Sequence, residues 1–439
     1  MGKSKIFLII SLLFLLVIFV FGIYYPQIFI KPSDFVFDKF YTFNGQVVDA
    51  EKKLDGWRLT VSPENLENFS GLLIVHAPLY PEYRYGDVLQ VAGNIYKPEV
   101  IEQEDGRKFF YDLYLAKENI FGLMYRIRIT WLEYRPSWRA DFFSAKKYFW
   151  RNLNNNLVEP ESAFAKAMIL DERRELTADF QVSFSQTGII HVISISGLHI
   201  AIFAIVLQII LSWFYLSRQQ IFFAVSFILL AYLFLLGFPA PAVRSALMVL
   251  FVSLGPFFGR LVTSINSLLL AALLLLFFKP LALIYDIGFQ LSFLSVLGLL
   301  LYGKFWEAKL FFIPNTLKLR EMCAVTLAAQ TFTWPLVLYY FHIFSFISPI
   351  ANLAILPFTT GTLIFGFLLA VFGAWPIIND FLAWPLFLGL RAIAYISKYL
   401  AQIPFAYIEI ETFSILALVL SLSAMLIFTF IIKPYEKDF

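Results

Sequence analysis

The chain has 439 residues, 60% of them hydrophobic and only 15% charged, whereas soluble domains run near one quarter charged. That deficit excludes an ordinary soluble globule and makes a polytopic α-helical membrane protein the leading class. The net charge of +3 argues for no particular partner, and one cysteine, Cys323, with four scattered histidines leaves no disulfide and no basis for a metal site or other cofactor.

In chain order, Lys3 and Lys5 precede an apolar run from Ile6 to about Ile23. The run is too long for a signal-peptide core, and no small-x-small cleavage site follows it. Residues 1–24 are therefore expected to be an uncleaved anchor, its lysines on the cytoplasmic side.

Residues 40–125 differ in kind. Short alternating runs such as GWRLTVS and DVLQVAGNIY are punctuated by turn sequences such as PENLENFSG. Period-two alternation of this sort predicts a small antiparallel β-barrel, which the anchor would place outside the cytoplasm. The domain is acidic: Gly45–Tyr125 holds 8 Lys/Arg against 13 Asp/Glu.

Residues 126–186 are expected to form interfacial helices. The first part, 126–151, carries 7 basic and 2 acidic residues interleaved with aromatics. Arg126, Arg128, Trp131, Arg135, Trp138, Arg139, Lys146 and Lys147 would meet lipid headgroups, or else nucleic-acid phosphates and bases. ESAFAKAMILDERRELTADFQVSFSQ, at 161–186, has helical periodicity with several charges and suits amphipathic helices.

Residues 187–433 form the expected membrane bundle, with nine candidate spans near 189–214, 220–237, 241–258, 264–279, 281–302, 322–343, 347–373, 380–400 and 412–433. The loop with Lys304, Lys309, Lys318 and Arg320 is the strongest orientation marker and belongs in the cytoplasm. Arg218 and Arg260 fall on the same side, while Lys279 and Lys398 fall outside. Pro349, Pro357 and Gly361 suggest that 347–373 is two half-helices.

A polar group in hydrocarbon costs several kcal/mol unless paired. The intramembrane polar residues His191, Ser194, Ser196, Gly197, His199, Arg244, Asp286, Gln290 and Asn352 are therefore the candidate functional set, with Gln330 and His342 beside them. The competing reading is helix–helix packing by Ser, Gly and His. On a helix through 189–214, His191 and Ser194 share one face, and a break at Gly197 would turn both histidines to one cavity. Arg244 and Asp286 are expected to pair; alternatively Arg244 lies on a polyanion path. ISISG also invites comparison with the Gly-x-Ser-Gly of intramembrane serine proteases, but Ser194 occupies the position two before Ser196.

GIIHVISISGLHI, at 188–200, resembles the G-x-x-H-L-L-A-I-S-G-L-H segment of the ComEC competence proteins. PAPAVRSALM, DIGFQLSFLSVLGLL and SPIANLAILP are similar to three more segments of that family, with Gly288 where Ser is common. AMILDERREL resembles its L-x-L-G-D-R stretch, with Leu170 at the Gly position. GLLIVHAPLYPEYRYGDVLQVAGNIYKPE and FFYDLYLAKENIFG look like its N-terminal OB-type domain. The likeness spans roughly residues 40–430.

The resemblance implies an inner-membrane channel that moves single-stranded DNA into the cytoplasm during natural transformation. It would be a transporter and not an enzyme, embedded in membrane lipid, with the candidate polar residues lining or shaping the path and none of them catalytic. It implies an extracytoplasmic DNA receptor and a cytoplasmic helicase motor as partners, because the sequence holds no P-loop. The metallo-β-lactamase-like domain of many family members, and its His-x-His-x-Asp-His motif, have no counterpart in the sequence, and neither do the paired cysteines of the OB-type domain. Tyr83, Tyr85 and Tyr96 are the candidates for base stacking there. The alternative class is a secondary transporter or flippase for an anionic solute or lipid, built on similar polar midplane residues.

Overall fold

The computed structural model describes residues 3–24, 35–52, 55–102, 108–135, 138–254, 264–315 and 318–432. The expectation for Arg260 lies outside them. The chain divides into two compact units, one of 1–145 with 273–287, the other of 146–272 with 288–439.

In the first unit, α1 (Lys3–Tyr24) is apolar on every side. Leu13, Phe14, Leu16, Val17 and Phe19 stand exposed along it, as suits a helix facing lipid. Four strands follow: β1 (Lys39–Lys52), β2 (Trp57–Pro63), β3 (Leu72–Ala77) and β4 (Asp87–Tyr96). A short ribbon of β5 (Ile101–Glu102) and β6 (Lys108–Phe109) leads through α2 (Tyr111–Ala116) to β7 (Ile120–Met124) and β8 (Arg128–Tyr134).

The barrel closes in the order β1-β2-β3-β7-β4 and back to β1. The β3–β7 pairing is parallel and the others antiparallel. Closure requires β1 to serve two partners, β4 with its first half and β2 with its second. The strand turns at Gly45, where a Cβ would stand 2.5 Å from Val61 Cγ1. Inward residues alternate as the sequence predicts: Val47, Leu59, Val61, Leu73, Val75, Leu89, Val91 and Met124 make a closed core.

Three expectations change here. Residues 128–134 form a strand on β4 and not an interfacial helix. RITWLEY alternates β-branched and aromatic side chains with polar ones, and β4 from Asp87 to Ala92 offers it a free edge. Tyr83 and Tyr85 are buried in the barrel and unavailable for stacking, whereas Tyr96 is exposed. Finally, Asp286 pairs with Lys117, just after α2, at 2.9 Å, and not with Arg244. Beside that pair, Lys279 meets Glu118 at 2.7 Å.

The second unit holds the bundle. After α3 (Trp138–Asn156), α4 (Glu161–Leu170) and α5 (Ala178–Gln186) come α6 (Gly197–Trp213), α7 (Arg218–Leu236), α8 (Ala240–Leu254) and α9 (Ser264–Phe278). The one-turn α10 (Ala282–Tyr285) precedes α11 (Ile287–Lys309), α12 (Leu319–Phe341) and α13 (Ser348–Phe372). The strand β9 (Ile343–Ser345) lies between α12 and α13. The chain closes with α14 (Pro376–Ala401), β10 (Tyr407–Glu409) and α15 (Ile415–Ile432). Among the described residues five helices, α7, α11, α12, α13 and α14, are long and apolar enough to cross a membrane, and α1, α6, α8, α9 and α15 hold shorter apolar stretches. Outward Phe223, Phe227, Phe381, Trp384 and Leu388 invert the soluble pattern. The chain is thus a multi-pass membrane protein with a small closed β-barrel near its N-terminus.

α13 is one continuous helix and not two half-helices. Pro357 removes one backbone donor, which packing against neighbouring helices tolerates. α4 is not amphipathic as expected, since all ten of its residues are buried. Its Lys166 is 1% exposed. The ammonium is held by Glu175, by Glu159 at 3.3 Å and by Asn154 Oδ1 at 3.0 Å, over the Trp150 ring. Such a group enters a core only when it is paired and hydrogen-bonded.

Candidate functional site

The stretch 188–199 is mostly not helix. Gly188 takes a left-handed φ of +71°, and a Cβ there would lie 2.6 Å from Ser348 Cβ. A 3₁₀ turn, Ile190–Val192, follows. Ser196 is extended and caps α6, which begins at Gly197, eight residues later than a span from 189 requires. The expected shared helix face of His191 and Ser194 therefore does not exist. Irregular backbone inside a bundle leaves amide and carbonyl groups without helical partners. Polar side chains crowd this stretch for that reason.

Each one has its own surroundings. The Ser196 amide donates to His199 Nδ1 at 3.2 Å, and Ser196 Oγ lies 2.7 Å from the same nitrogen. An amide can only donate, so Nδ1 accepts and the ring proton sits on Nε2. His199 is 1% exposed, and its Nε2 has no hydrogen-bond partner among the described residues. His191, by contrast, is exposed. Ser194 Oγ accepts from Arg173 Nη2 at 2.7 Å, and the same guanidinium bonds Asp171.

Gly197 is required by close approach. A Cβ at 197 would lie 2.7 Å from Ser245 Oγ and 2.8 Å from Arg244 Nη2. Arg244, 5% exposed, donates from Nε to Ser292 Oγ of α11 at 2.6 Å. Its other contacts are Met248 Sδ at 3.7 Å and the Phe293 ring. On α13, Asn352 Nδ2 donates to the Ser348 carbonyl at 2.9 Å and to its hydroxyl at 3.2 Å. Ser348 in turn lies against Gly188.

Five segments distant in sequence therefore meet through a chain of contacts: 171–173, 188–199, 244–245, Ser292 and 348–352. The first two turns of α6, α8, α11 and α13 supply residues to four of them, and the first turns, where Gly197 and Ser348 lie, carry partial positive charge. Arg173, Ser245, Ser292 and Ser348 were not among the residues singled out as candidates. Their signal was present in the quoted segments, but only pairing in space separates them from ordinary helix serines. Gln290 lies half-buried on α11. His342 caps α12 and bonds the Ile410 carbonyl at 3.0 Å, away from this junction.

The basic–aromatic stretch is less open than its composition implies. Arg135 is bound by Glu133 at 2.7 Å and Glu64 at 2.6 Å, and these hydrogen bonds raise its already high pKa. Trp131 donates to Asp87 at 3.2 Å, and Lys146 meets Glu172 at 2.6 Å. Arg126, Arg128 and Lys147 are exposed. Trp138 and Arg139 open α3, and their side chains lie outside the described set.

The fold and this junction define a multi-pass membrane protein whose helix starts converge on a polar, cation-bearing locus. The chain belongs to the Competence protein family, whose profile matches residues 168–435, more than half of its length. It is 25% identical over 321 residues to ComE operon protein 3 of Bacillus subtilis (strain 168), covering 72% of this chain and 40% of that protein. It is 32% identical over 183 residues to an uncharacterized protein of Aquifex aeolicus (strain VF5), covering 42% of this chain and again 40% of that protein. The chain thus spans about two fifths of the length of these relatives. Comparison with solved structures gave no match.

Proposed function

We propose that this chain forms the inner-membrane path by which one strand of DNA enters the cytoplasm during natural transformation. The observation that carries the reading is the junction: five polar segments, four of them from helix starts, joined inside the unit that matches the Competence family. Bundles ordinarily exclude such groups unless a polar substrate or a structural need keeps them. Hydroxyls, an exposed imidazole and partial positive charges suit a polyanion that must bind weakly enough to move on. The protein acts as a conduit and not as an enzyme. Ser196 and His199 are paired, but among the described residues no carboxylate orients the imidazole, as a Ser–His nucleophile requires.

In this reading the β-barrel lies outside the cytoplasm. A DNA receptor delivers the strand on that side, and a cytoplasmic helicase motor draws it inward. Arg126, Arg128 and Tyr96 are the barrel groups open to the strand. A strain lacking the gene, given labelled DNA, should keep surface-bound label and lose nuclease-protected cytoplasmic label. Unchanged internalisation would refute the proposal. It would favour a transporter for an anionic solute, for which the interrupted backbone at 189–196 is also suited.

A further inference from the structure

Arg244 is 95% buried by its 5% exposure, yet its partners are a serine, a methionine sulfur and a phenylalanine ring. Among the described residues no carboxylate lies within ion-pair distance of it, and Nη2 has no acceptor. A structural arginine in a bundle is normally matched by a carboxylate or by backbone carbonyls. This one instead lies against the first residue of α6, with Nη2 2.8 Å from the position of a Gly197 Cβ. The positive end of that helix adds to the charge of the guanidinium. Like charges are thus brought together, with no carboxylate beside them among the described residues.

The geometry points to an anion seat at Arg244, Gly197 and Ser245 that takes a phosphodiester, one backbone phosphate of a single strand at a time. The inference rests on the transport reading above and assigns the polyanion its contact. Charge selects the diester. Arg173 is bound to Asp171, so among the described residues the seat carries one guanidinium without a carboxylate partner, which matches a monoanion better than a dianionic monoester. Gly197 permits the close approach, and any side chain there would push Nη2 aside.

The test measures binding of a fluorescein-labelled oligothymidylate to the full chain, purified in a phosphate-free maltoside detergent, as salt is varied. A single-strand phosphate contact contributes about 0.7 to the slope of log affinity against log salt. Arg244→Gln should lower the slope by about that amount, and so lose about threefold less affinity than wild type between roughly 50 and 200 mM salt. Arg244→Lys should keep the slope. Gly197→Ala, which retains the charge, should weaken binding by displacing it, and this variant decides the matter where Arg244→Gln fails to assemble. Equal slopes for wild type and Arg244→Gln, or full affinity in Gly197→Ala, overturn the seat while leaving the transport reading standing. No binding by wild type at low salt removes both. Where equal slopes overturn the single-strand contact, added phosphatidylglycerol that raises the melting temperature of wild type but not of Arg244→Gln identifies a lipid headgroup as the anion held there instead.

Discussion

His199 occupies the third position of α6, where a capping box carries glutamate or glutamine. Its Nδ1 does what a Gln Oε1 does there, accepting the Ser196 amide at 3.2 Å. His199→Gln should therefore keep the cap, and its melting temperature should match wild type. His199→Leu removes the acceptor and should cost about 1 kcal/mol, seen as lower thermal stability in detergent. The two substitutions also separate structure from transport. A Gln variant that folds normally but no longer internalises DNA would assign a role to the buried Nε2–H. Ser196→Ala should reduce uptake only in part, because water can replace a hydroxyl along a polar path. Complete loss, with normal protein level and assembly, would support a serine nucleophile instead. At this scale the sequence drew attention to 191–200 but did not give its conformation. Hydrophobic periodicity runs unbroken through HVISISGLHI, and the left-handed Gly188 that breaks the helix is an ordinary residue until its φ is known.

At the scale of elements, the expected Arg244–Asp286 partnership gives way to Lys117–Asp286. Asp286 ends α10 in an extended conformation, one residue before α11, and Lys117 at the end of α2 reaches it with only 8% of its side chain exposed. A partly buried pair of this kind should show coupling. In a double-mutant cycle, Lys117→Ala and Asp286→Ala should interact by roughly 0.5–3 kcal/mol, whereas Arg244→Ala and Asp286→Ala should add. The readout is thermal unfolding of the purified full chain, and additivity of the first pair would show that Lys117 and Asp286 are not coupled. Element types were legible wherever one face or the whole surface of an element was apolar: β1 to β4 by alternation, and the long spans by composition. They were lost where context overrides pattern. RITWLEY reads as basic and aromatic, but it becomes β8 because β4 offers an open edge. ESAFAKAMIL reads as amphipathic, but it is buried because Lys166 is neutralised by carboxylates from outside its own helix.

For the whole molecule, one contact set bears on which side of the membrane the barrel occupies. Lys117 and Glu118, just after α2, meet Asp286 and Lys279 of the turn between α9 and α11. The barrel and that turn therefore share a side. α11 has 23 residues, a rise of about 34 Å, enough to cross a hydrocarbon core of about 30 Å. Lys304 and Lys309 at the C-terminal end of α11, with Lys318 and Arg320 at the start of α12, are then expected on the far side, and their positive charge favours the cytoplasm. Lys279, which counted against this orientation in the sequence, is tied to the barrel side by its ion pair with Glu118. Asn65, exposed in the turn between β2 and β3, provides the test. Cys323 is buried, and its replacement by serine gives a background without thiols. In that background Asn65→Cys should react with a membrane-impermeant maleimide in intact cells, whereas Lys309→Cys should react only after lysis. The reverse pattern would put the barrel in the cytoplasm, where it could not receive incoming DNA, and the transport reading would have to give up its external docking domain.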